Sequence, residues 1–129
     1  MTIIVNFYGS SGSGKSTKSL ELTTYFKKLG INVEYVSEYA KDLVYQNNHS
    51  LLQKPFSIFA KQKEKIDILL DHNIDLIITD SPLILTSFYG LKYGCADSKF
   101  EDIVLHEFNK YSNINFFINR DVPFLETGR

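Results

Sequence analysis

The stretch Gly9-Ser10-Ser11-Gly12-Ser13-Gly14-Lys15-Ser16-Thr17 decides the fold of this chain. It fits the pattern G-x-x-x-x-G-K-[ST], in which a glycine-rich loop wraps backbone N–H groups around phosphate. A short apolar run, residues 3–8, precedes the stretch, and apolar residues at helical spacing follow it as far as Gly30. The loop therefore joins a strand to the start of a helix, which is the context that this pattern requires.

The residues of the loop indicate its chemistry. Gly9, Gly12 and Gly14 allow backbone angles that a side chain would forbid, so the N–H groups can converge on an anion at the positive end of the helix dipole. Lys15 would reach the β and γ phosphates, and the Ser16 hydroxyl would ligate Mg²⁺. All nine residues of the stretch are expected to bind nucleotide. The alternative is a structural turn with a surface lysine. It does not explain why the glycines, the lysine and the serine all occur at the spacing of the pattern.

Length and composition limit the possible functions. The 129 residues suit one domain, and 43% of them are hydrophobic, which is enough for a single packed core. The net charge of −1 provides no basic field for binding nucleic acid, so nucleic acid is an unlikely partner. Cys95 is the only cysteine, which fits a reducing compartment. Without a signal peptide or an apolar run of transmembrane length, the sequence predicts a cytoplasmic protein with no membrane partner.

Apolar runs and helical periodicities alternate along the chain. The predicted strands are 2–8, 31–37, 75–80 and 114–119, and the predicted helices are 15–29, 38–45, 55–72, 83–93 and 98–111. This alternation predicts an α/β fold in which helices cover both faces of a parallel sheet. The continuous apolar run 75–80 suits an interior strand, whereas Glu34 places strand 31–37 at an edge.

Three helices carry apolar residues at helical spacing. These positions are Leu20, Leu22, Tyr25, Phe26 and Leu29 in the first helix; Phe56, Phe59, Ile66, Leu69 and Leu70 in the helix 55–72; and Phe100, Ile103, Val104, Phe108 and Tyr111 in the last. They are the expected contacts between helices and sheet.

Polar residues follow the predicted strands, at the sheet edge where ligands of such folds bind. Asp80 ends the third strand and is expected to hold Mg²⁺ beside Ser16, directly or through water. Its alternative role is to cap the next helix. Glu38 follows the second strand and could accept a proton from the phosphoryl acceptor or orient its hydroxyl. Its alternative is an acid that opens a helix.

Four further residues are candidates for this crevice. The Gln62 amide could bind a base or carboxamide edge, with a surface glutamine as the alternative. Tyr39 could contact the substrate by stacking, although aromatic residues of this kind are more often core. Arg120 and Arg129 flank a loop that could bring positive charge over the phosphates in the transition state, with a frayed terminus as the alternative.

On these residues the chain resembles P-loop kinases of small molecules. More narrowly, the phosphate loop, segments 37–42 and 79–82, Gln62 and the loop 120–129 are similar to the ribosylnicotinamide kinase domain of the bacterial NAD-biosynthesis regulator and to related small phage ATP-binding proteins. The resemblance runs nearly end to end. It implies a nucleoside-monophosphate-kinase-like fold with a parallel sheet of about four strands in the order 2-3-1-4. A phage origin would place the protein in the host cytoplasm.

The resemblance also implies a set of roles. ATP would be the phosphoryl donor with Mg²⁺ as cofactor. Lys15, Glu38, Asp80 and Arg129 would form the catalytic set, Arg120 would contact nucleotide, and Ser16 with Asp80 would hold the metal. Deoxynucleoside kinases share a glutamate after the second strand. They place an arginine after the acid that ends the third strand, where this chain has Ser81, so close kinship with them is not expected.

The end of the chain departs from these kinases, which continue past the lid into a helix, a fifth strand and an adenine-contacting loop. We expect a single domain over residues 1–129 that lacks the usual last helix and strand. The fourth strand would then lie at an edge, although Ile114, Phe116 and Phe117 are typical of an interior strand. Since an unprotected edge offers unpaired N–H and C=O groups to another chain, self-association through this strand is expected.

Three functions are compatible with these observations. The first is a kinase that transfers the γ-phosphoryl group of ATP to a hydroxyl of a nucleoside-like or nucleotide small molecule. The second is a nucleotide-binding regulatory or interaction protein with little turnover. The third, a nucleic-acid end kinase, is disfavoured by the near-neutral charge. Glu38 and Arg129 favour the first function, and the missing last strand favours the second.

Overall fold

A four-stranded parallel sheet forms the centre of the computed structural model, which describes residues 1–10, 13–88 and 98–119. The strands are β1 (Ile3–Tyr8), β2 (Val33–Val36), β3 (Leu76–Thr79) and β4 (Ser112–Phe117). All pairings are parallel and the order is β2-β3-β1-β4, which confirms the predicted α/β class and strand order. The connecting helices are α1 (Lys15–Lys28), α2 (Tyr39–Tyr45), α3 (His49–Leu52), α4 (Pro55–Leu70) and α5 (Ser98–Asn109), with a 3-10 turn at Leu83–Leu85.

The sheet is covered on both faces. Alternate residues of β1 point to opposite sides, with Val5 and Phe7 packing towards α1 and Ile4 packing towards α4 and α5. The core on the α4 and α5 side is the larger one. Its buried members are Ile4, Val36, Phe59, Ile66, Ile74, Ile77, Leu83, Phe100, Val104 and Phe108. The two central strands, β1 and β3, are therefore shielded from solvent on both faces, as expected for a parallel sheet.

Helix α1 contacts the sheet through a face that only partly matches the predicted one, since Leu22 and Phe26 pack on the sheet as predicted. Three of the apolar positions are exposed: Leu20, Tyr25 and Leu29. Buried in their place are Ser19 and Thr23, whose hydroxyls donate to the carbonyls of Lys15 and Ser19 at 2.7 and 2.8 Å. Because these hydrogen bonds satisfy the hydroxyls within the helix, small polar residues can pack closely on the strands. Leu22 and Phe26 complete the contact.

The bounds of the other helices differ modestly from the predictions. Pro55 occupies the first turn of α4, as predicted, and the helix ends at Leu70. Of the apolar positions predicted for α4 and α5, Phe56 and Ile103 are exposed, although the Phe56 ring packs edge-on against the buried Phe100 with centroids 4.6 Å apart. The predicted helix 83–93 begins as a 3-10 turn, and the rest of it from residue 89 lies outside the described residues. Within the described ranges, no helix combines the length and apolarity needed to cross a membrane.

A buried asparagine of β1 fixes the register of β4. The prediction of 114–119 was displaced, since the strand runs two residues earlier along the chain. Asn6 of β1 is almost fully buried, and its Nδ2 donates to Asn113 Oδ1 at 3.0 Å and to Asn115 Oδ1 at 3.1 Å. A buried amide without partners would be costly, so the register that supplies both acceptors is favoured over one set by apolar residues alone.

Strand β4 lies at the edge of the sheet, as predicted. Its side chains remain largely in solvent, with 44% of Ile114, 49% of Phe116 and 75% of Phe117 exposed. The two phenylalanine rings stack on Phe7 and Tyr8 of β1, with ring centroids 5.6 and 4.8 Å apart. These contacts hold one side of β4, while its apolar faces have no helix packed on them among the described residues.

Candidate active site

Glycines shape the loop between β1 and α1. A Cβ atom on Gly9 would lie 2.5 Å from Ser13 Oγ and 3.3 Å from Lys15 Cγ, so the tight loop has no room for a side chain there unless Ser13 moves. Gly14 precedes α1 with φ of 91°, a left-handed conformation that glycine adopts without steric cost. Ser11 and Gly12 lie outside the described residues.

The start of α1 offers donors to an anion. The helix begins without a capping side chain and without an acidic residue in its first turn, so its first N–H groups are not satisfied by carboxylates or hydroxyls. Next to it, Ser13 N–H donates to Ser10 O at 3.0 Å. The Ser13 Oγ atom is buried and has no hydrogen-bond partner within the described part of the chain. A phosphate in the loop would accept hydrogen bonds from the first N–H groups of α1 and from the Ser13 hydroxyl.

Substituting Gly14 with alanine should destabilise the loop, because an L-residue pays about 1–2 kcal/mol for the left-handed conformation. Gly30, which follows α1 with φ of 81°, provides a matched control. We expect Gly14→Ala and Gly30→Ala to lower the free energy of unfolding similarly in chemical denaturation. Only Gly14→Ala should weaken ATP binding in calorimetry. Equal ATP affinities in the two folded variants would show that Gly14 has no role in phosphate binding.

Ser16 and Asp80 meet where the loop approaches the end of β3. Ser16 Oγ donates to Asp80 Oδ2 at 2.5 Å. The other carboxylate oxygen, Oδ1, is buried and has no hydrogen-bond partner among the described residues. The 3-10 turn that follows is preceded by Pro82 and has no capping side chain, so Asp80 does not act as its cap.

Ser16 and Asp80 suit a magnesium ion, which needs few ligands from the protein. Within residues 1–10, 13–88 and 98–119, no three His, Cys, Asp or Glu residues group closely enough to hold a metal. Mg²⁺ commonly takes one or two protein oxygens and completes its shell with phosphate oxygens and water. Ser16 and Asp80 supply such oxygens beside the phosphate loop, and the unpartnered Oδ1 of Asp80 is the kind of buried acceptor that a cation satisfies.

Glu38 lies across the crevice from the loop. It precedes α2 in an extended conformation, and its carboxylate makes no capping hydrogen bond to that helix. Burial raises the pKa of Glu38, the positive charge of Lys15 opposes this rise, and the negative charge of Asp80 adds to it. The charges of Lys41 and Lys65 also oppose the rise, so Glu38 interacts with acidic and basic groups of several elements at one edge of the sheet.

Tyr35 of β2 is a member of this site that sequence reasoning missed. Burial raises the pKa of the Tyr35 phenol. Asp80 raises it further, through its negative charge and by accepting a hydrogen bond from the phenol O–H. Glu38 contributes in the same direction. The sequence indicated this role only through the position of Tyr35, one residue before the end of β2. That position brings the ring to the carboxyl end of the strand, where the other polar groups lie.

Gln62 does not take the place that the sequence suggested. The side chain is buried, its Oε1 accepts from the N–H of Tyr39 at 2.7 Å, and its Nε2 donates to the C=O of Ser37 at 3.1 Å. The amide thus holds the loop around Glu38 and does not face a substrate edge. Tyr39 packs beside the cluster of Ala40, Leu43 and Ile58, the core position that was its alternative.

The structure thus brings together four of the predicted residues: Lys15, Ser16, Glu38 and Asp80. Both arginines of the predicted lid, Arg120 and Arg129, lie outside the described residues. The sheet edge can therefore bind an anion, hold a divalent cation and present a carboxylate to a third group.

Comparison with known protein families finds a match. Residues 4–129 match the family described as AAA domain. No curated protein matches the chain.

Two solved structures are similar in fold. Thymidylate kinase from Ehrlichia chaffeensis superposes with a TM-score of 0.64 at 22% identity, covering 92% of this chain and 71% of that one. APS kinase from Mycobacterium tuberculosis superposes with a TM-score of 0.54 at 17% identity, covering 98% of this chain and 81% of that one. At these identities the similarity shows the fold, which is that of P-loop kinases.

Proposed function

The chain belongs to the AAA domain family, and from this premise we propose that it is a phosphotransferase that uses Mg-ATP. The acceptor would be a hydroxyl of a nucleoside-like or nucleotide small molecule. The single observation that carries this proposal is the joint placement of Ser16, Asp80 and Glu38, because it combines a metal site with a carboxylate beside the phosphate loop.

The reaction would divide between the two sides of the crevice. The loop and Lys15 hold the β and γ phosphates, and a bound Mg²⁺ would neutralise charge on their oxygens. The acceptor oxygen forms a bond to the γ phosphorus while the bond to the β-phosphate oxygen breaks and ADP leaves. The acceptor proton passes to the Glu38 carboxylate. Arg120 and Arg129 remain proposed lid residues that would stabilise charge in the transition state.

The decisive experiment measures phosphoryl transfer from radiolabelled ATP to a panel of hydroxyl compounds. The panel comprises thymidine, adenosine, nicotinamide riboside and their 5′-monophosphates. Nicotinamide riboside tests the narrower resemblance to ribosylnicotinamide kinases, and the monophosphates test whether a nucleotide hydroxyl is the acceptor. ATP binding without transfer to any of these compounds would favour the second candidate function, a nucleotide-binding regulatory protein with little turnover.

The metal role of Asp80 leads to a separate prediction. Asp80→Asn removes the negative charge but keeps the size of the side chain, so Ser16 retains a hydrogen-bond partner. We expect ATP affinity in excess Mg²⁺ to fall by about 10-fold or more, since a hydrogen bond or ligand to a charged group contributes about 1.5–3 kcal/mol. Affinity in the presence of EDTA should be unaffected. Equal losses with and without Mg²⁺ in calorimetry would contradict metal binding by Asp80.

We also propose that two copies associate through β4, which favours an interaction role beside or instead of turnover. The exposed faces of this strand are apolar, and residues 112–119 contain no charged side chain, so two copies would not bring like charges together. Exposed edges protected by neither lysine nor proline are the usual sites of such pairing. A cytoplasmic location, in the host if the protein is phage-encoded, is part of the same proposal.

The variant Phe116→Lys tests association, because a lysine on an edge strand opposes pairing. Tyr45→Lys is a matched control: Tyr45 is 77% exposed on α2, at the opposite end of the strand order from β4. Sedimentation should show a concentration-dependent dimer for the unsubstituted protein and for Tyr45→Lys, and a monomer for Phe116→Lys. A monomeric unsubstituted protein at high concentration would contradict the proposal.

A further inference from the structure

The short loop between β2 and α2 is held from outside by helix α4. Gln62 Oε1 accepts a hydrogen bond from the N–H of Tyr39 at 2.7 Å, and Gln62 Nε2 donates to the C=O of Ser37 at 3.1 Å. One amide thus binds the backbone on both sides of Glu38. Since Gln62 is almost fully buried, water competes little for these two hydrogen bonds.

Lys65 holds the same loop from one turn further along α4. Its Nζ donates to the C=O of Ser37 at 2.8 Å and to the Ser37 Oγ at 2.9 Å. Residues three apart on a helix lie on the same face, so Gln62 and Lys65 act on the loop side by side. The C=O of Ser37 therefore accepts from two donors and has little freedom to rotate.

The Glu38 carboxylate does not cap helix α2. Tyr39 is the first residue of α2, so its N–H has no partner within the helix. In many helices the side chain of the preceding residue accepts from the second or third N–H of the helix, which here belongs to Ala40 or Lys41. Here Gln62 satisfies the N–H of Tyr39, and Glu38 makes no capping hydrogen bond. The carboxylate interacts with the charges of Lys15 and Asp80, and also with those of Lys41 and Lys65.

We propose that Gln62 and Lys65 are positioning residues that fix the backbone of residues 37–39 and so aim the Glu38 carboxylate at the phosphoryl acceptor. This inference rests on the proposed function, since it concerns the step in which Glu38 takes a proton. Neither residue touches the reacting atoms. Their effect is on transfer and not on ATP binding, because the phosphate loop and Asp80 make no hydrogen bond to either of them in the described residues.

Three substitutions on α4 test the proposal. Gln62→Met keeps the length of the side chain and removes both hydrogen bonds. Lys65→Met removes its two hydrogen bonds at a partly exposed position and provides a second test if Gln62→Met does not fold. It also removes a positive charge that lowers the pKa of Glu38, so kcat is compared at a pH high enough for Glu38 to be ionised in every variant. Lys61→Met is the control, since Lys61 is exposed on the same helix and pairs only with Glu64, at 3.5 Å, among the described contacts.

Each of the three substitutions is made in two backgrounds, the protein with Glu38 and the Glu38→Gln variant. Amide hydrogen exchange at Tyr39 reports on the loop without any substrate, and calorimetry reports on ATP affinity. Values of kcat and KM are measured with the panel compound that the unsubstituted protein phosphorylates fastest. Gln62→Met should accelerate exchange at Tyr39 and lower kcat by about 10²-fold, as small displacements of catalytic groups do. Lys65→Met should act in the same direction, and Lys61→Met should change nothing.

The Glu38→Gln background separates positioning from a general loss of structure. We call the hydrogen bonds from Gln62 and Lys65 to the backbone of residues 37–39 the clamp. If the clamp acts through Glu38, the substitutions at Gln62 and Lys65 cause no further fall in kcat once Glu38 is replaced. An equal fall in both backgrounds, or an unchanged kcat despite faster exchange at Tyr39, overturns the clamp and leaves the proposed function intact. If Glu38→Gln itself leaves kcat unchanged, the acceptor role of Glu38 and the clamp are both refuted.

Discussion

Glu38→Gln is expected to lower kcat for phosphoryl transfer by about 10²–10⁴-fold, the usual contribution of a positioned general base. The substitution keeps the shape of the side chain but removes its ability to take a proton. Because the phosphate loop is untouched, ATP affinity should not change. Steady-state transfer to the best compound of the panel, together with calorimetry for ATP, measures both quantities.

The pH dependence of kcat provides a second measurement on the same variant. Burial raises the pKa of Glu38 although Lys15 opposes the shift. A general base must be ionised, so the transfer rate should fall as the pH drops through this raised pKa, and the decline should begin above the range of an ordinary glutamate. Glu38→Gln should lack that decline.

Glu34→Gln is the matched control, because Glu34 is half exposed on β2 and pairs with Lys27 at 3.7 Å. It should keep normal kcat values and a normal pH profile. Unchanged kcat in Glu38→Gln with a genuine substrate would exclude a catalytic role for Glu38.

The second large effect is expected from Lys15→Ala. Hydrogen bonds to charged groups contribute about 1.5–3 kcal/mol, so the loss of the lysine should weaken ATP binding by roughly 10- to 150-fold. Lys15 is the first residue of α1 and is absent from the buried core, so the variant should unfold at an unchanged denaturant concentration. Calorimetry and chemical denaturation test the two parts of this prediction.

Lys18→Ala serves as the control, since Lys18 is exposed on the next turn of the same helix. It should bind ATP normally, which would separate the specific effect of Lys15 from a general loss of positive charge. Retained ATP affinity in a folded Lys15→Ala variant would refute the assignment of residues 9–17 to phosphate binding.

Local sequence patterns sufficed to predict the topology and the main positions of the site. The phosphate loop has a fixed spacing, and Asp80 ends a continuous apolar run, so their places at the ends of β1 and β3 follow from chain order alone. A parallel sheet then brings the carboxyl ends of its strands to one edge, which places Glu38 opposite Lys15. These predictions needed no knowledge of side-chain packing.

Buried polar side chains account for the features that the sequence did not predict. Ser19 and Thr23 face the sheet because their hydroxyls bond within α1, a choice that an apolar periodicity does not reveal. Similarly, Asn6 draws β4 into its register, and Gln62 turns inward to reach the backbone of the loop after β2. Asn6 and Gln62 needed buried partners that only the tertiary fold supplies, whereas Ser19 and Thr23 find theirs one turn earlier in the same helix.

The central place of β1 in the sheet affects how the protein is made. Of the described strands, β1 leaves the ribosome first, yet its neighbours are β3 and β4, which are synthesised much later. At about 5–20 residues per second, the apolar β1 waits several seconds before Leu76–Thr79 emerge to pair with it. During that interval the nascent chain exposes an unpaired apolar strand, so slow translation or a lack of chaperones should promote its aggregation.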